Sequence, residues 1–148
     1  MSSEAYLSSD DSALLRRALR SYSGESCLEI GAGNGGGLSE LSERFRLTVG
    51  TDIRRPSDFE GMRGLVEYVL ADAASCFRDG CFDLVAFNPP YLPSGDIVDS
   101  AVDGGEDGEV VAAHFLSDAM RVAKRTGRIV FLLSDASPLG PIRSACEP

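Results

Sequence analysis

The chain predicts a single α/β domain, residues 1–148, built as an open, doubly wound, mainly parallel sheet. Three observations carry that reading. Short apolar runs alternate with helical stripes, as strands joined by right-handed crossovers require. A glycine cluster, Gly31-Ala32-Gly33-Asn34-Gly35-Gly36-Gly37, separates the first run from the next stripe. Four runs lead into a polar or acidic residue, Glu29, Asp52, Asp72 and Asn88, and a parallel sheet gathers such residues along one edge beside a ligand crevice.

The elements follow in order. Ser9, Asp10 and Asp11 offer caps ahead of Ala13, Leu14, Leu15, Ala18 and Leu19, so a helix is predicted over residues 9–21 and Ser23-Gly24 ends it. Cys27-Leu28-Glu29-Ile30 reads as a short buried strand, and Leu38, Leu41 and Phe45 predict a helix after the glycines. Residues 47–52 form a second strand ending in Asp52. The short link that follows holds Arg54-Arg55-Pro56 and predicts a helix from Ser57. Residues 65–71 are a third strand ending at Asp72, and residues 82–87 a fourth that delivers Asn88-Pro89-Pro90-Tyr91. A polar, glycine-rich loop at 94–108 precedes a stripe of Val110, Val111, His114, Phe115, Ala119 and Val122. That stripe predicts a helix over 109–125 closed by Gly127. Residues 128–133 have the unbroken apolar character of a parallel strand buried on both faces.

Composition narrows the function classes. A net charge of −9 repels phosphate backbones and disfavours a nucleic-acid partner. Cys27, Cys76, Cys81 and Cys146 form no C-x-x-C pair, which argues against a metal site and for reduced thiols in a cytoplasmic protein. No apolar run reaches membrane-spanning length, and the N-terminus lacks a charged leader followed by an apolar stretch.

The motifs then point to a chemistry. Gly31-x-Gly33-x-x-Gly36, with Asp52 about twenty residues on, fits a dinucleotide site, in which glycines admit a ligand to the backbone and an acid takes the ribose hydroxyls. Glu29 argues against a pyrophosphate: a carboxylate two residues before the glycines repels phosphate, whereas it attracts the sulfonium and ammonium groups of S-adenosylmethionine. Asp72 would accept from an adenine amine. The bland alternatives are a plain strand-to-helix turn and acids that merely cap helices.

Asn88-Pro89-Pro90-Tyr91 is the more specific signal. Proline has no N–H and restrains the preceding residue to an extended conformation, so this segment presents carbonyls outward. The Asn88 side-chain oxygen and the Pro89 carbonyl would grip both N–H bonds of a planar nitrogen and aim its lone pair, while Tyr91 covers its flat face. The bland alternative is a proline turn leaving the sheet.

Taken together, the string from Glu29 to Gly35, Asp52, Asp72 and Asn88-Pro89-Pro90-Tyr91 resembles the class I S-adenosylmethionine-dependent methyltransferases, with their Rossmann-like sheet. More narrowly, Gly104-Gly105-Glu106-Asp107-Gly108 before the predicted helix resembles the HemK-like release-factor glutamine methyltransferases. Ala5-Tyr6-Leu7-Ser8-Ser9-Asp10-Asp11-Ser12 is similar to the N-terminal motif of their archaeal and eukaryotic branch, with Ser8 where proline is usual. The resemblance implies that Ser12, Glu29, Gly31, Ala32, Gly33, Asp52, Asp72, Ala73 and Asn88 hold S-adenosyl-L-methionine. It implies that Asn88, Pro89, Pro90, Tyr91 and Leu92 hold a glutamine amide. The implied substrate is the Gly-Gly-Gln glutamine of a class I release factor, and the implied partner is a small zinc-binding activator subunit forming a heterodimer.

Fifteen residues follow Leu133, too few for the helix and antiparallel hairpin that complete the sheet in that family, so those strands are expected to be missing and the fifth strand to lie at an edge. Two other functions fit the same motifs: an adenine-N6 methyltransferase acting on RNA or DNA, which the charge disfavours, and a non-catalytic remnant of the fold, which the short C-terminus favours. His114 is read as a surface or packing residue, because the methylated nitrogen can lose its proton to water. Arg54 and Arg55 are read as solvated, and the acids of residues 96–107 either as a solvated loop or as a reader of basic neighbours.

Overall fold

The computed structural model describes residues 3–56, 66–89, 108–133 and 140–147. Within them run helix α1 (Ser3–Leu19), strand β1 (Gly24–Ile30), helix α2 (Leu38–Ser42), strands β2 (Phe45–Asp52), β3 (Val66–Leu70) and β4 (Phe82–Phe87), helix α3 (Gly108–Val122), strand β5 (Ala123–Phe131) and helix α4 (Gly140–Cys146). The five strands pair in the order β3-β2-β1-β4-β5, every pair parallel. Strand order therefore reverses between β1 and β4, which opens a crevice at their C-terminal ends.

Each face of the sheet carries its own apolar layer. Leu15 and Leu19 of α1 and Leu41 of α2 pack with Cys27, Phe45, Leu84 and Ala86 on one side. Leu116, Ala119 and Val122 of α3 and Ile142 of α4 pack with Leu28, Ile30, Val85 and Phe87 on the other. Leu28, Ile30, Val85 and Phe87 are fully enclosed, and burying each such side chain stabilises by roughly 1.5–3 kcal/mol. Neighbouring side chains of β1 and β4 go to opposite layers, and both layers are covered, so Leu84 to Phe87 are buried without a break.

Register sets the height of the site. Glu29 lies opposite Gly50 and Ala86, and Ile30 opposite Thr51 and Phe87. Gly31, Asp52 and Asn88 thus leave three adjacent strands at the same level, as the sequence leads one to expect.

Several boundaries differ from expectation. The helix read from residue 9 already runs from Ser3, so Ser9, Asp10 and Asp11 lie inside α1 and do not cap it. Phe45 is not helical: it opens β2 opposite Gly24, with its ring in the α1–α2 layer, and α2 stops at Ser42. Gly127 does not close α3. The helix ends at Val122 because Gly80 and Cys81 donate their N–H groups to the Arg121 and Val122 carbonyls at 3.0 and 2.7 Å, and Ala123 then pairs with Phe82 in the ladder. Residues 124–127 are absorbed by a register irregularity between Phe82 and Leu84. The sequence predicts no helix after residue 133, where α4 forms and covers part of the α3 layer with Ile142. The helix expected from Ser57 and the loop at 94–107 lie outside the described residues. β5 lies at an edge of the described sheet. Among the described residues no helix is long and apolar enough to cross a membrane.

Candidate active site

The glycine loop leaves β1 in a left-handed path: φ is +69° at Gly31, +56° at Gly33 and +79° at Gly35, values that side chains with a Cβ rarely adopt. Three bonds fix it to the neighbouring strands. Ala32 donates its N–H to the Thr51 carbonyl at 2.8 Å, Gly33 donates to Asp52 Oδ2 at 3.0 Å, and the Tyr68 hydroxyl donates to the Gly33 carbonyl at 2.5 Å. Asp52 Oδ1 accepts from the Arg54 N–H at 3.1 Å, so the carboxylate at the end of β2 is oriented by two backbone amides. Burial raises the Tyr68 phenol above its ordinary range, with Asp52 and Glu29 adding to the effect, and the hydroxyl stays a donor.

Glu29 stands beneath this loop. Its residue is half-buried, but Oε2 is enclosed with no hydrogen-bond partner. A Cβ on Gly37 would lie 2.9 Å from that oxygen, so a side chain there would displace the carboxylate. Loss of water pushes the Glu29 carboxyl up to about 7, and the positive charge of Arg16 on α1 pulls the other way. Asn88 repeats the pattern on the far side of the crevice: its Oδ1 is enclosed and without a partner, and Pro89 beside it is fully buried. Phe87, the residue before Asn88, stacks its ring on Phe131 at 4.9 Å and meets Phe115 edge-on at 5.9 Å. Phe115 also reaches the loop, its Cε2 lying 3.3 Å from where a Cβ on Gly31 would be.

Enclosed acceptors without donors are costly unless a ligand completes them. Glu29 Oε2 and Asn88 Oδ1, with the Asp52 carboxylate at the same level on β2, form an acceptor-rich and negative crevice. It suits a cation bearing N–H and O–H groups and repels a pyrophosphate.

The turn after β3 is buttressed in a way the sequence did not disclose. Ala73 takes φ of +46°, a strained value for a residue with a Cβ. Asp118 of α3 accepts from the Ala74 N–H at 2.8 Å, and Arg121 donates to the Ala74 and Phe77 carbonyls at 2.9 and 2.7 Å. His114 Nε2 lies 2.9 Å from Asp72 Oδ1 in an exposed pair. His114 is therefore a surface residue as expected, with a partner that was not. Its spacing from Asp118 and Arg121, four and seven residues, places the three on one helical face and was the readable signal.

Of the residues expected to hold a cofactor, Gly33 and Asp52 are joined by a hydrogen bond, Gly31 and Ala32 precede Gly33 in the same loop, Glu29 borders that loop at Gly37, and Gly31, Asp52 and Asn88 stand at one level. Asp72 and Ala73 lie one strand further out, after β3. Ser12 is half-buried on α1. Pro90, Tyr91 and Leu92 lie outside the described residues.

No family model matches the chain. A protein of Methanocaldococcus jannaschii, provisionally described as a protein N5-glutamine methyltransferase, is 28% identical over 144 residues, covering 88% of this chain and 73% of that protein. The solved Mtq2–Trm112 complex of E. cuniculi, responsible for methylation of the eRF1 translation termination factor, is similar at 30% identity and a TM-score of 0.62. The match covers 73% of this chain and 64% of that one, so this chain spans under two thirds of its length. A Haemonchus contortus phosphoethanolamine N-methyltransferase shares the fold at 22% identity and a TM-score of 0.60, covering 92% of this chain and 28% of its own. The all-parallel sheet, the glycine loop at its switch point and these likenesses give the chain the class I S-adenosylmethionine-dependent methyltransferase fold and align it with the protein-glutamine N5-methyltransferases.

Proposed function

We propose that the chain transfers a methyl group from S-adenosyl-L-methionine to the side-chain amide nitrogen of a protein glutamine, the Gly-Gly-Gln glutamine of a class I release factor. One observation carries the reading: near the C-terminal ends of the adjacent strands β1 and β4, Glu29 Oε2 and Asn88 Oδ1 are both enclosed and without donors. The likeness to a provisionally described protein N5-glutamine methyltransferase and to a complex that methylates eRF1 supports it. Because Trm112 accompanies the latter protein, a small zinc-binding subunit is the partner we propose here, in the cytoplasm, where release factors act.

The division of labour follows from the acceptors. Glu29 receives the cofactor's ammonium, Asp52 its ribose hydroxyls and Asp72 its adenine amine, while Gly31, Ala32, Gly33 and Ala73 line it with backbone and Ser12 closes the α1 side. When bound, the cofactor supplies a methyl group on a cationic sulfur. Asn88 Oδ1 accepts one N–H of the glutamine amide and the Pro89 carbonyl the other, which lets the nitrogen lone pair leave conjugation and turn toward that methyl. Pro90 would restrain Pro89 to an extended conformation, and Tyr91 would cover the amide plane. After transfer the nitrogen gives up its proton to water, so a strong general base is not required.

The test is calorimetric titration with S-adenosylmethionine, of the chain alone and co-expressed with a small zinc-binding subunit, followed by mass spectrometry of a release factor. The expected result is binding, and a gain of one methyl on the Gly-Gly-Gln glutamine that Asn88→Ala abolishes. Binding with methylation of a nucleic-acid adenine instead would overturn the substrate; no binding in either form would overturn the activity.

A further inference from the structure

The opposite ends of an amino acid need opposite charges, and the glycine loop is bordered by both. Glu29 Oε2 lies 2.9 Å from the Cβ position of Gly37, and Arg16 Nη1 lies 3.8 Å from the Cβ position of the preceding Gly36. Arg16 belongs to α1 and Glu29 to β1, so two elements bring a guanidinium and a carboxylate to consecutive residues of one loop. Arg16 acts on Glu29 electrostatically, yet Glu29 Oε2 has no hydrogen-bond donor, so the two do not satisfy one another. Each keeps capacity for a ligand. A carboxylate that takes an ammonium leaves the ligand's own carboxylate two bonds away, and a guanidinium matches a carboxylate with two parallel N–H bonds.

We infer that Arg16 is the positioning residue for the carboxylate of the cofactor's methionine moiety, forming with Glu29 a zwitterion clamp over the glycine loop. The inference rests on the cofactor reading above and assigns a specificity to α1 that neither the glycine motif nor the strand-end acids supply. Arg16 contributes here by holding the methionine tail, so that the sulfur faces Asn88. In an otherwise acid-rich crevice it also supplies the positive charge without which an α-carboxylate would be repelled.

Two ligands that differ in one group test it by calorimetry: S-adenosylhomocysteine and its decarboxylated analogue, which keeps the amine, thioether and nucleoside. The wild-type chain should bind the analogue about tenfold more weakly, the size expected of a charge-assisted pair. In Arg16→Met that difference should vanish, with S-adenosylhomocysteine weakened to the level of the analogue and the analogue unchanged within about twofold. Arg16→Lys, which keeps the charge, should retain part of the difference, and thermal denaturation checks that both variants fold. Equal weakening of both ligands in Arg16→Met would mean a structural role and overturn the inference, as would a wild type indifferent to the carboxylate. A wild type that binds neither ligand would instead overturn the cofactor reading on which the inference stands.

Discussion

Glu29→Gln separates the electrostatics of the site from its shape. The wild-type carboxyl is pushed up from its ordinary 4.5 to about 7 by burial, which corresponds to on the order of 3 kcal/mol between the protonated and ionised folded states. Solvent contact along the half-buried residue makes this an upper figure. The sign follows from a raised folded value: the stabilisation is complete below the unfolded carboxyl's range, declines between about 4.5 and about 7 as the unfolded chain ionises first, and is gone above it. The amide introduced by Glu29→Gln titrates nowhere in this range. The wild type should therefore lose up to roughly 10 °C of Tm relative to Glu29→Gln between pH 5 and pH 8, using about 3–4 °C per kcal/mol for a domain of this size. Scanning calorimetry of both proteins across that range measures it. Parallel Tm-versus-pH curves would refute the burial argument. An ammonium ligand favours the ionised form, so wild-type binding near pH 6 should release a proton, visible as a buffer-dependent binding enthalpy that Glu29→Gln lacks.

Three further outcomes are expected. Asp52→Ala removes the acceptor of the Gly33 and Arg54 amides and should cost on the order of 1–3 kcal/mol of S-adenosylhomocysteine affinity by calorimetry; unchanged affinity would place the ribose elsewhere. Arg121→Ala strips the turn after β3 of donors to the Ala74 and Phe77 carbonyls and should destabilise by about 1–3 kcal/mol in urea unfolding, with faster amide exchange at Ala74, and a stability equal to wild type would show that the turn holds itself. Among the free cysteines, exposed Cys76 and Cys146 should react with maleimide at once, while Cys27, buried and pushed up to about 11, should react on unfolding; early labelling of Cys27 would contradict its burial.

The strands were legible because parallel strands buried on both faces are written as apolar runs, and Cys27-Leu28-Glu29-Ile30 and residues 82–87 stand out from their surroundings. The level of the site was legible too, since Asp52 and Asn88 stand at the ends of their runs and Glu29 one residue before the end of its own. What misled was local pattern against tertiary pairing. Phe45 continues the spacing of Leu38 and Leu41, yet pairing opposite Gly24 takes it into β2. Gly127 reads as a helix stop, yet two donors from residues 80 and 81 end α3 five residues earlier. The partnership of His114 with Asp72 joins residues 42 apart in sequence, and neither residue type names its partner. Arg16 reads, in sequence, as one more charge on an amphipathic helix. Its place over the glycines depends on how α1 lies across the sheet, which no spacing states.

Helix α3 reaches two loops at the C-terminal edge of the sheet: Phe115 meets the glycine loop at Gly31, and His114, Asp118 and Arg121 hold Asp72, Ala74 and Phe77 of the turn after β3. The glycine loop and the turn after β3 are therefore tied to one helix. A shift of α3 should then change the affinity of a ligand held at either loop, and by reciprocity a ligand at one loop should change affinity at the other by the same factor.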